Sequence, residues 1–487
     1  MDKDLHAFVD RLQAAGQLAR IAAPVSRDLE ITEIADRVSK GTADGNRALL
    51  FEHVTGFDMP VAINLFGSAQ RMACALGVDD LDELADRLGA LLDLRLPQGL
   101  GGMLSRGQDL LNALRSIGLG PSKVRSAPVQ EVVEKDAASL DSLPILTCWP
   151  GDGGRYITLP QVITRDPETG VRNVGMYRLQ VVDGRRLLMH WQRHKGGAEH
   201  ERVARAIQKP TIPAAIVLGG DPVSMWCASA PLPSNIDEYL LAGWLRGKPV
   251  EFVEAVSIPL EVPAQAEIVI EGFVDPNEHL PEGPFGDHTG YYTPIEPFPV
   301  FHVTAITRRR DAIYPTTVVG IPPMEDAWMG KATERLFLPL MRLFLPEIVD
   351  VAMPPAGAFH NLVLVSIRKR YPGHAHKVIH GLWGLGLLML AKAIVVVDQW
   401  VDVQDLNQTA WQALGNVDWA RDSIVTQGPV DHLDHASAQH SFGGKIGIDA
   451  TAKLPEEGHA RPWPQPVAMA PDVKARIDEL WKTLGLG

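Results

Sequence analysis

The chain has 487 residues, with 46 Lys plus Arg against 59 Asp plus Glu, a formal charge of −13 at pH 7. Its 46% apolar and 22% charged residues exclude a mostly disordered chain, and the acidic balance argues against an extended nucleic-acid surface, which needs clustered Lys and Arg. At roughly 150 residues per domain the length suggests about three domains, and 44 glycines and 37 prolines spread along it announce many turns.

The N-terminus, Met1-Asp2-Lys3-Asp4, carries no basic segment followed by an apolar run, so no signal peptide is read and a cytoplasmic protein is expected. Leu5, Phe8, Val9 and Leu12 share one helical face, with Gly16 placed to end the helix. Residues 48–54 and 61–66 read as a strand pair around Gly56, and Leu81, Leu84, Ala85, Leu88, Leu91 and Leu92 mark an amphipathic helix. Frequent glycine between 96 and 121 sets the first boundary, giving an N-terminal α/β domain over 1–121.

From 122 to 320 the apolar period becomes two. Strands are predicted at 157–164, 173–182, 187–191, 214–218, 267–273 and 300–307, with hairpin turns at 166–170 and 183–184. One helix interrupts them, 236–246, with Ser234 or Asn235 available as N-cap. Beyond 320, helices at 333–344, 375–390 and 408–414 alternate with strands at 361–368 and 393–397, the βαβ rhythm of a parallel sheet, and an amphipathic helix at 472–484 closes the chain. The most apolar stretch, 381–397, is interrupted by Lys392 and falls short of the ~20 unbroken residues of a bilayer span, so it reads as a core helix and a buried strand. Cys74, Cys148 and Cys227 are too few and scattered for a disulfide framework or a thiolate metal cluster.

The densest segment is Pro281-Glu-Gly-Pro-Phe-Gly-Asp-His-Thr-Gly-Tyr-Tyr292, a shaped loop that presents Glu282 and Asp287, either as acid/base groups or as turn caps. Arg178 ends the predicted strand Asn173-Val-Gly-Met-Tyr-Arg178; it either faces solvent or points inward, where it needs a carboxylate partner. In Trp191-Gln-Arg-His-Lys-Gly-Gly197, glycines beside basic residues let backbone amides approach an anion, and His194 is a metal ligand or a satisfied loop histidine. Glu238 by default stabilises a helix N-terminus. His374, His376 and His380, and separately His432, His435 and His440, lack a zinc-site arrangement and read as a helix start and a loop.

Taken together, PEGPFGDHTGYY, NVGMYR, HWQRHKGG, IDEYLLAGWLRG and SFGGKIGIDAT resemble the UbiD family over essentially the whole chain and in matching order. The resemblance is greatest to the 4-hydroxy-3-polyprenylbenzoate decarboxylase branch of ubiquinone synthesis. It implies a split β-barrel flavin-binding domain over 122–320, between the N-terminal α/β domain and a C-terminal α/β oligomerisation domain over 321–487. It implies reversible decarboxylation of an aromatic acid on prenylated FMN through a covalent adduct, with Arg178, Glu282 and Asp287 as the catalytic network and Asp287 as proton donor. Met176, Tyr177, Arg178, His190, Trp191, Gln192, Lys195 and Gly196 match flavin-contacting positions, and Lys445 a phosphate-side motif. Asn173, His194 and Glu238 match ligands of Mn²⁺ or Mg²⁺, a mostly hard donor set, and K⁺ is a further candidate near Cys227 to Ala230.

The resemblance also implies a separate flavin prenyltransferase as cofactor supplier and a homo-oligomer, dimer or hexamer. A lipid-like substrate would bring transient contact with the inner membrane. The chain departs from its relatives at His190 and Lys195, where they carry arginine; other branches carry glutamate in place of Asp287. The rival substrates are a dihydroxynaphthoate of menaquinone synthesis or a small aromatic or heteroaromatic acid. A flavin carrier would need the phosphate site without the acid network, and a scaffold would need no metal triad.

Overall fold

The computed structural model describes residues 1–93, 120–192, 195–232 and 236–484. The first helix, Leu5–Ala14, starts where the Asp4 carboxylate accepts from the Ala7 amide at 2.9 Å, and it buries the expected face of Leu5, Phe8, Val9 and Leu12. Ala48–Phe51 and Val61–Ile63 pair antiparallel, inside a four-stranded sheet completed by Leu18–Ile21 and by Tyr314–Pro315. That last strand arrives only after the whole central region. The helix Glu83–Asp93 buries Leu84, Leu88 and Leu91 in the same apolar cluster as Met329, Ala332 and Leu336 of the long helix Glu325–Phe344. Most of the glycine-rich boundary segment lies outside the described residues.

The central region holds a nine-stranded sheet in which every pairing is antiparallel, and a separate three-stranded sheet of Glu261–Pro263, Glu251–Glu254 and Ser122–Lys123. The order of the larger sheet is Tyr156–Ile157, Leu179–Asp183, Arg186–Met189, Glu296–Arg308, Ile268–Glu282, Ile212–Leu218, Gln161–Arg165, Arg172–Gly175, with Val132–Glu134 added alongside Glu296–Arg308. The predicted strand 173–182 is in fact two. Arg172–Gly175 pairs with Gln161–Arg165 while Leu179–Asp183 pairs with Arg186–Met189, so Met176, Tyr177 and Arg178 cross from one neighbour to another outside either ladder.

Among the described residues three helices interrupt these strands instead of one: Gly196–Ala206, Pro222–Cys227 and Glu238–Arg246. Glycine's poor helix propensity concealed the first. The third is capped by Asp237, which accepts from the Tyr239 amide at 3.0 Å; the expected caps, Ser234 and Asn235, lie outside the described residues.

The C-terminal sheet runs Ile348–Ala352, Leu362–Ile367, Ala393–Asp398, Phe442–Asp449, Ser423–Pro429, parallel through its three inner strands and antiparallel at both edges. The helix expected to reach 390 stops at Trp383; Gly384 follows and Gly386 takes φ +52°, and a 3₁₀ turn, Gly386–Leu390, carries the chain back. The last helix, Pro471–Leu484, buries none of its residues. Cys148 and Cys227 are buried, Cys74 is partly so, and none is disulfide-bonded. Among the described residues no helix is long and apolar enough to cross a membrane.

Candidate active site

The break at Met176–Arg178 and the loop after Glu282 meet on one wall of a cavity of about 1120 Å³. That loop is pinned from several sides. Gly283 donates to the Gln180 side chain at 2.8 Å, Gly153 donates to the Pro284 carbonyl at 2.7 Å, and Gly286 donates to Asp152 at 2.8 Å. A Cβ on Gly286 would stand 2.4 Å from the Trp149 ring, so only glycine lets the loop lie this close. Gly283, at φ +106°, makes the turn out of the strand.

Arg178 is an interior residue. Its Nε and Nη2 donate to the two oxygens of Glu282 at 2.8 and 3.0 Å, its Nη1 donates to Asp287, and Thr293 accepts a further bond at 3.2 Å. The guanidinium also lies 4.7 Å from the centre of the Phe285 ring. Burial opposes charge on both acids. For Glu282 it is outweighed by His190 and Arg178, which hold the carboxyl at about 2; for Asp287 by His288 and Arg178, which push it well below the usual range.

Two further groups of this network escaped the sequence. His288 donates from Nδ1 to Asp287 at 2.7 Å, and its Nε2 lies 2.9 Å from Nε2 of His360 in the C-terminal domain. His288 adjoins Asp287 in the chain and could have been singled out there. His360 lies too far along the chain for any spacing rule to reach.

Other residues of the cavity lining suit an anion and a hard cation. Lys195, the N-cap of the helix Gly196–Ala206, offers no side-chain cap, and of the first amides Gly197 donates to the Tyr177 hydroxyl at 3.2 Å. Burial lowers the pKa of the Lys195 amine. Asn173, Gly196 and Glu238 line the same space. Glu238 accepts from the Val174 amide at 2.8 Å, next to Asn173, and burial pushes its carboxyl up to about 8. His194 lies outside the described residues. Met176, Tyr177, Gln192 and His190 line the same cavity. His190 spends one ring nitrogen on Glu282 at 3.1 Å, burial and Arg178 lower its pKa, and its buried Nε2 has no partner among the described residues.

A buried ring nitrogen, a helix start with a lysine before it, and an amide side chain and a carboxylate lining the same space would suit a flavin with its phosphate and a divalent cation. Two expected contacts stand one layer back. Trp191 lies under Gly197, where a Cβ would come within 2.5 Å of its Nε1, and Lys445 turns to the carbonyls of Met389 and Pro429 behind the wall.

The C-terminal domain closes the cavity with Phe359, Trp383, Leu387, Met389 and Leu433. Of the histidine clusters, His374 accepts from the Arg370 amide and stacks on Tyr371. His432 bonds Glu296 at 2.7 Å and His440 at 2.6 Å, a Glu-His-His grouping assembled across two domains.

Comparison with known proteins covers the whole chain. Residues 122–322 match the family described as UbiD, 3-octaprenyl-4-hydroxybenzoate carboxy-lyase Rift-related domain; residues 9–88 and 327–450 match its N-terminal and C-terminal domains. An uncharacterized protein of Aquifex aeolicus is 50% identical over 485 residues, 99% of each chain. Among solved structures, Sedimentibacter hydroxybenzoicus vanillic acid decarboxylase in its closed form superposes with TM-score 0.86 at 28% identity over 100% of both chains. The UbiD-class enzyme HmfF from Pelotomaculum thermopropionicum in complex with FMN superposes with TM-score 0.80 at 29% identity, covering 97% of this chain and 98% of that one.

Proposed function

The chain belongs to the UbiD family of carboxy-lyases, and from that premise we propose that it decarboxylates a hydroxylated aromatic acid in the cavity between its central and C-terminal domains. The observation that carries this reading is Arg178 held between Glu282 and Asp287 on the wall of a cavity that also presents a helix N-terminus and a hard-ligand pair. A flavin carrier or a scaffold would have no use for the first of these.

Prenylated FMN, once bound, supplies the sink for the electron pair freed as CO₂ leaves. His190, Gln192, Met176 and Tyr177 would hold its ring system. Lys195 and the amides from Gly196 would hold its phosphate, with Asn173, Glu238 and His194 binding Mn²⁺ or Mg²⁺ beside it. Arg178 orients the substrate carboxylate. Glu282, fixed as an anion, keeps Arg178 and His190 in place, and Asp287 gives the proton that replaces CO₂ at carbon. An arriving carboxylate is a like charge beside Asp287 and raises its pKa toward that of a proton donor. The step is reversible, and the same residues serve carboxylation.

The preferred substrate is a polyprenylated 4-hydroxybenzoate on the route to ubiquinone. The apolar C-terminal wall of Trp383, Leu387, Met389 and Leu433 offers a prenyl chain its contacts. The likeness to vanillic acid decarboxylase favours a second reading, a small hydroxybenzoate. Exposed Trp411, Leu414, Trp419 and Val425 on the C-terminal domain favour a homo-oligomer. The protein would work in the cytoplasm, with passing membrane contact if its substrate is prenylated.

The chain should be co-produced with a flavin prenyltransferase and its native mass and visible spectrum recorded. CO₂ release would then be followed from 4-hydroxybenzoate with and without a prenyl chain, vanillate and a dihydroxynaphthoate. A bound mass of prenylated FMN plus metal and turnover of one of these acids is expected. No flavin in the presence of an active prenyltransferase would sink the reading.

A further inference from the structure

We propose that His288 is the proton reservoir of this site: its imidazolium recharges Asp287 across the Nδ1–Oδ1 contact, with His360 as the positioning residue that fixes the ring. This rests on the decarboxylase reading above.

Replacing a carboxylate by hydrogen consumes one proton per turnover, and the proposed donor is poorly placed to keep one. Both oxygens of Asp287 are engaged, Oδ2 by Arg178 and Oδ1 by the backbone amide and Nδ1 of His288, each at 2.7 Å. Those donors hold Asp287 as a carboxylate, so the nearest mobile proton lies on the imidazole.

Acids from three elements around His288 support charge on that ring. Asp287 adjoins it on its own loop, Asp326 faces it from the start of the helix Glu325–Phe344, and Asp431 from the loop after Ser423–Pro429. The cations nearby are Arg178, spent on the two acids, and Lys195, which acts on His360. Although burial opposes it, the acids bring His288 up to about 9, while burial and the charge on His288 keep His360 neutral. A neutral His360 accepts from Nε2–H of His288 at 2.9 Å, and Phe359 stacks on the ring with centroids 5.1 Å apart. The segment that sets these two side chains in place holds Ala358 and Phe359 both at φ +47°, a conformation L-residues avoid and which a fold keeps where position matters.

The proton balance closes. Asp287 as an acid gives its proton to the carbon that lost CO₂ and becomes a carboxylate. His288 passes its Nδ1 proton to Oδ1 and becomes neutral, and water restores the imidazolium after product leaves.

Two measurements test this, the first without cofactor. Histidine-labelled protein is titrated by NMR, with the His288 signal identified by its loss in H288Q. The ring should stay charged past pH 8 in the wild type, and H360L should lower its midpoint by about one unit. A His288 that is neutral at pH 7 overturns the proposal.

The second is the pH profile of kcat for the loaded enzyme. Wild type should lose activity along an alkaline limb near pH 9, H360L should move that limb down, and H288Q should lose it together with about 100-fold in kcat, its flavin spectrum unchanged. An active wild type with H288Q matching it in rate and profile overturns the relay alone. A loaded wild type that neither releases CO₂ nor exchanges the product C–H with solvent overturns the decarboxylase reading, and the relay with it.

Discussion

Two buried arginines in this protein are each surrounded by acids, and they are put to opposite uses. Arg335 donates to Asp82 at 3.0 Å and Asp350 at 2.6 Å and sits 3.1 Å from Glu334, so it ties an N-terminal loop to the long helix and to the C-terminal sheet. Its remaining neighbours are Lys331 and Gln404 on Glu334 and the Val351 carbonyl, all fixed partners. Arg178 has a similar complement of charge, but its network opens onto a cavity and continues into two imidazoles. An ionic cluster spent on tying three elements together is a clamp. The same cluster with one open face and a titratable neighbour can bind and exchange protons.

Breaking each cluster separates the two roles. R178Q should lower decarboxylation by on the order of 10³-fold or more while the loaded protein keeps its flavin mass, and D287N should fall within about 10²–10⁴-fold, both read as CO₂ release. R335A should instead cost about 1–3 kcal/mol in denaturant unfolding, because the buried Val351 carbonyl and Asp350 lose their donor while Glu334 keeps Lys331, and turnover per folded molecule should not change.

Acid unfolding sharpens the contrast. Glu282 is held at about 2, below its ordinary 4.5, so the stability it confers is complete above about pH 5 and is lost as pH falls toward 2. E282Q should flatten that acid limb by about 3 kcal/mol in a series of melting curves against pH. The smallest effect belongs to the half-exposed Glu296-His432-His440 chain, where H440A should change stability by less than about 1 kcal/mol in the same assay.

Local signals made much of this legible. The face of the first helix, the strand pair at 48–63 and the βαβ rhythm of the C-terminal region follow from short-range periodicity, and the structure repeats them. The loop with Glu282 and Asp287 was equally plain, since its prolines and glycines permit no regular element.

What the sequence hid depends on partners far along the chain. Nothing in Asn173 to Val182 says that its two halves serve different neighbours, yet that division is what turns Arg178 inward. Gly196 and Gly197 disguised a helix start as a loop. Trp191 and Lys445 are not in the cavity lining: Trp191 packs beneath Gly197, and Lys445 donates to two backbone carbonyls. His360 and Glu296 join the histidines near the site only through tertiary contact.

The strand Tyr314–Pro315, which completes the N-terminal sheet, bears on how the chain is built. During synthesis the ribosome releases Leu18–Ile21, Ala48–Phe51 and Val61–Ile63 long before the residues that cover the open side of Val61–Ile63. The N-terminal unit therefore waits, with one edge exposed, until the whole central sheet has emerged. A fragment cut at the glycine-rich boundary would carry that edge permanently and invite pairing with other chains.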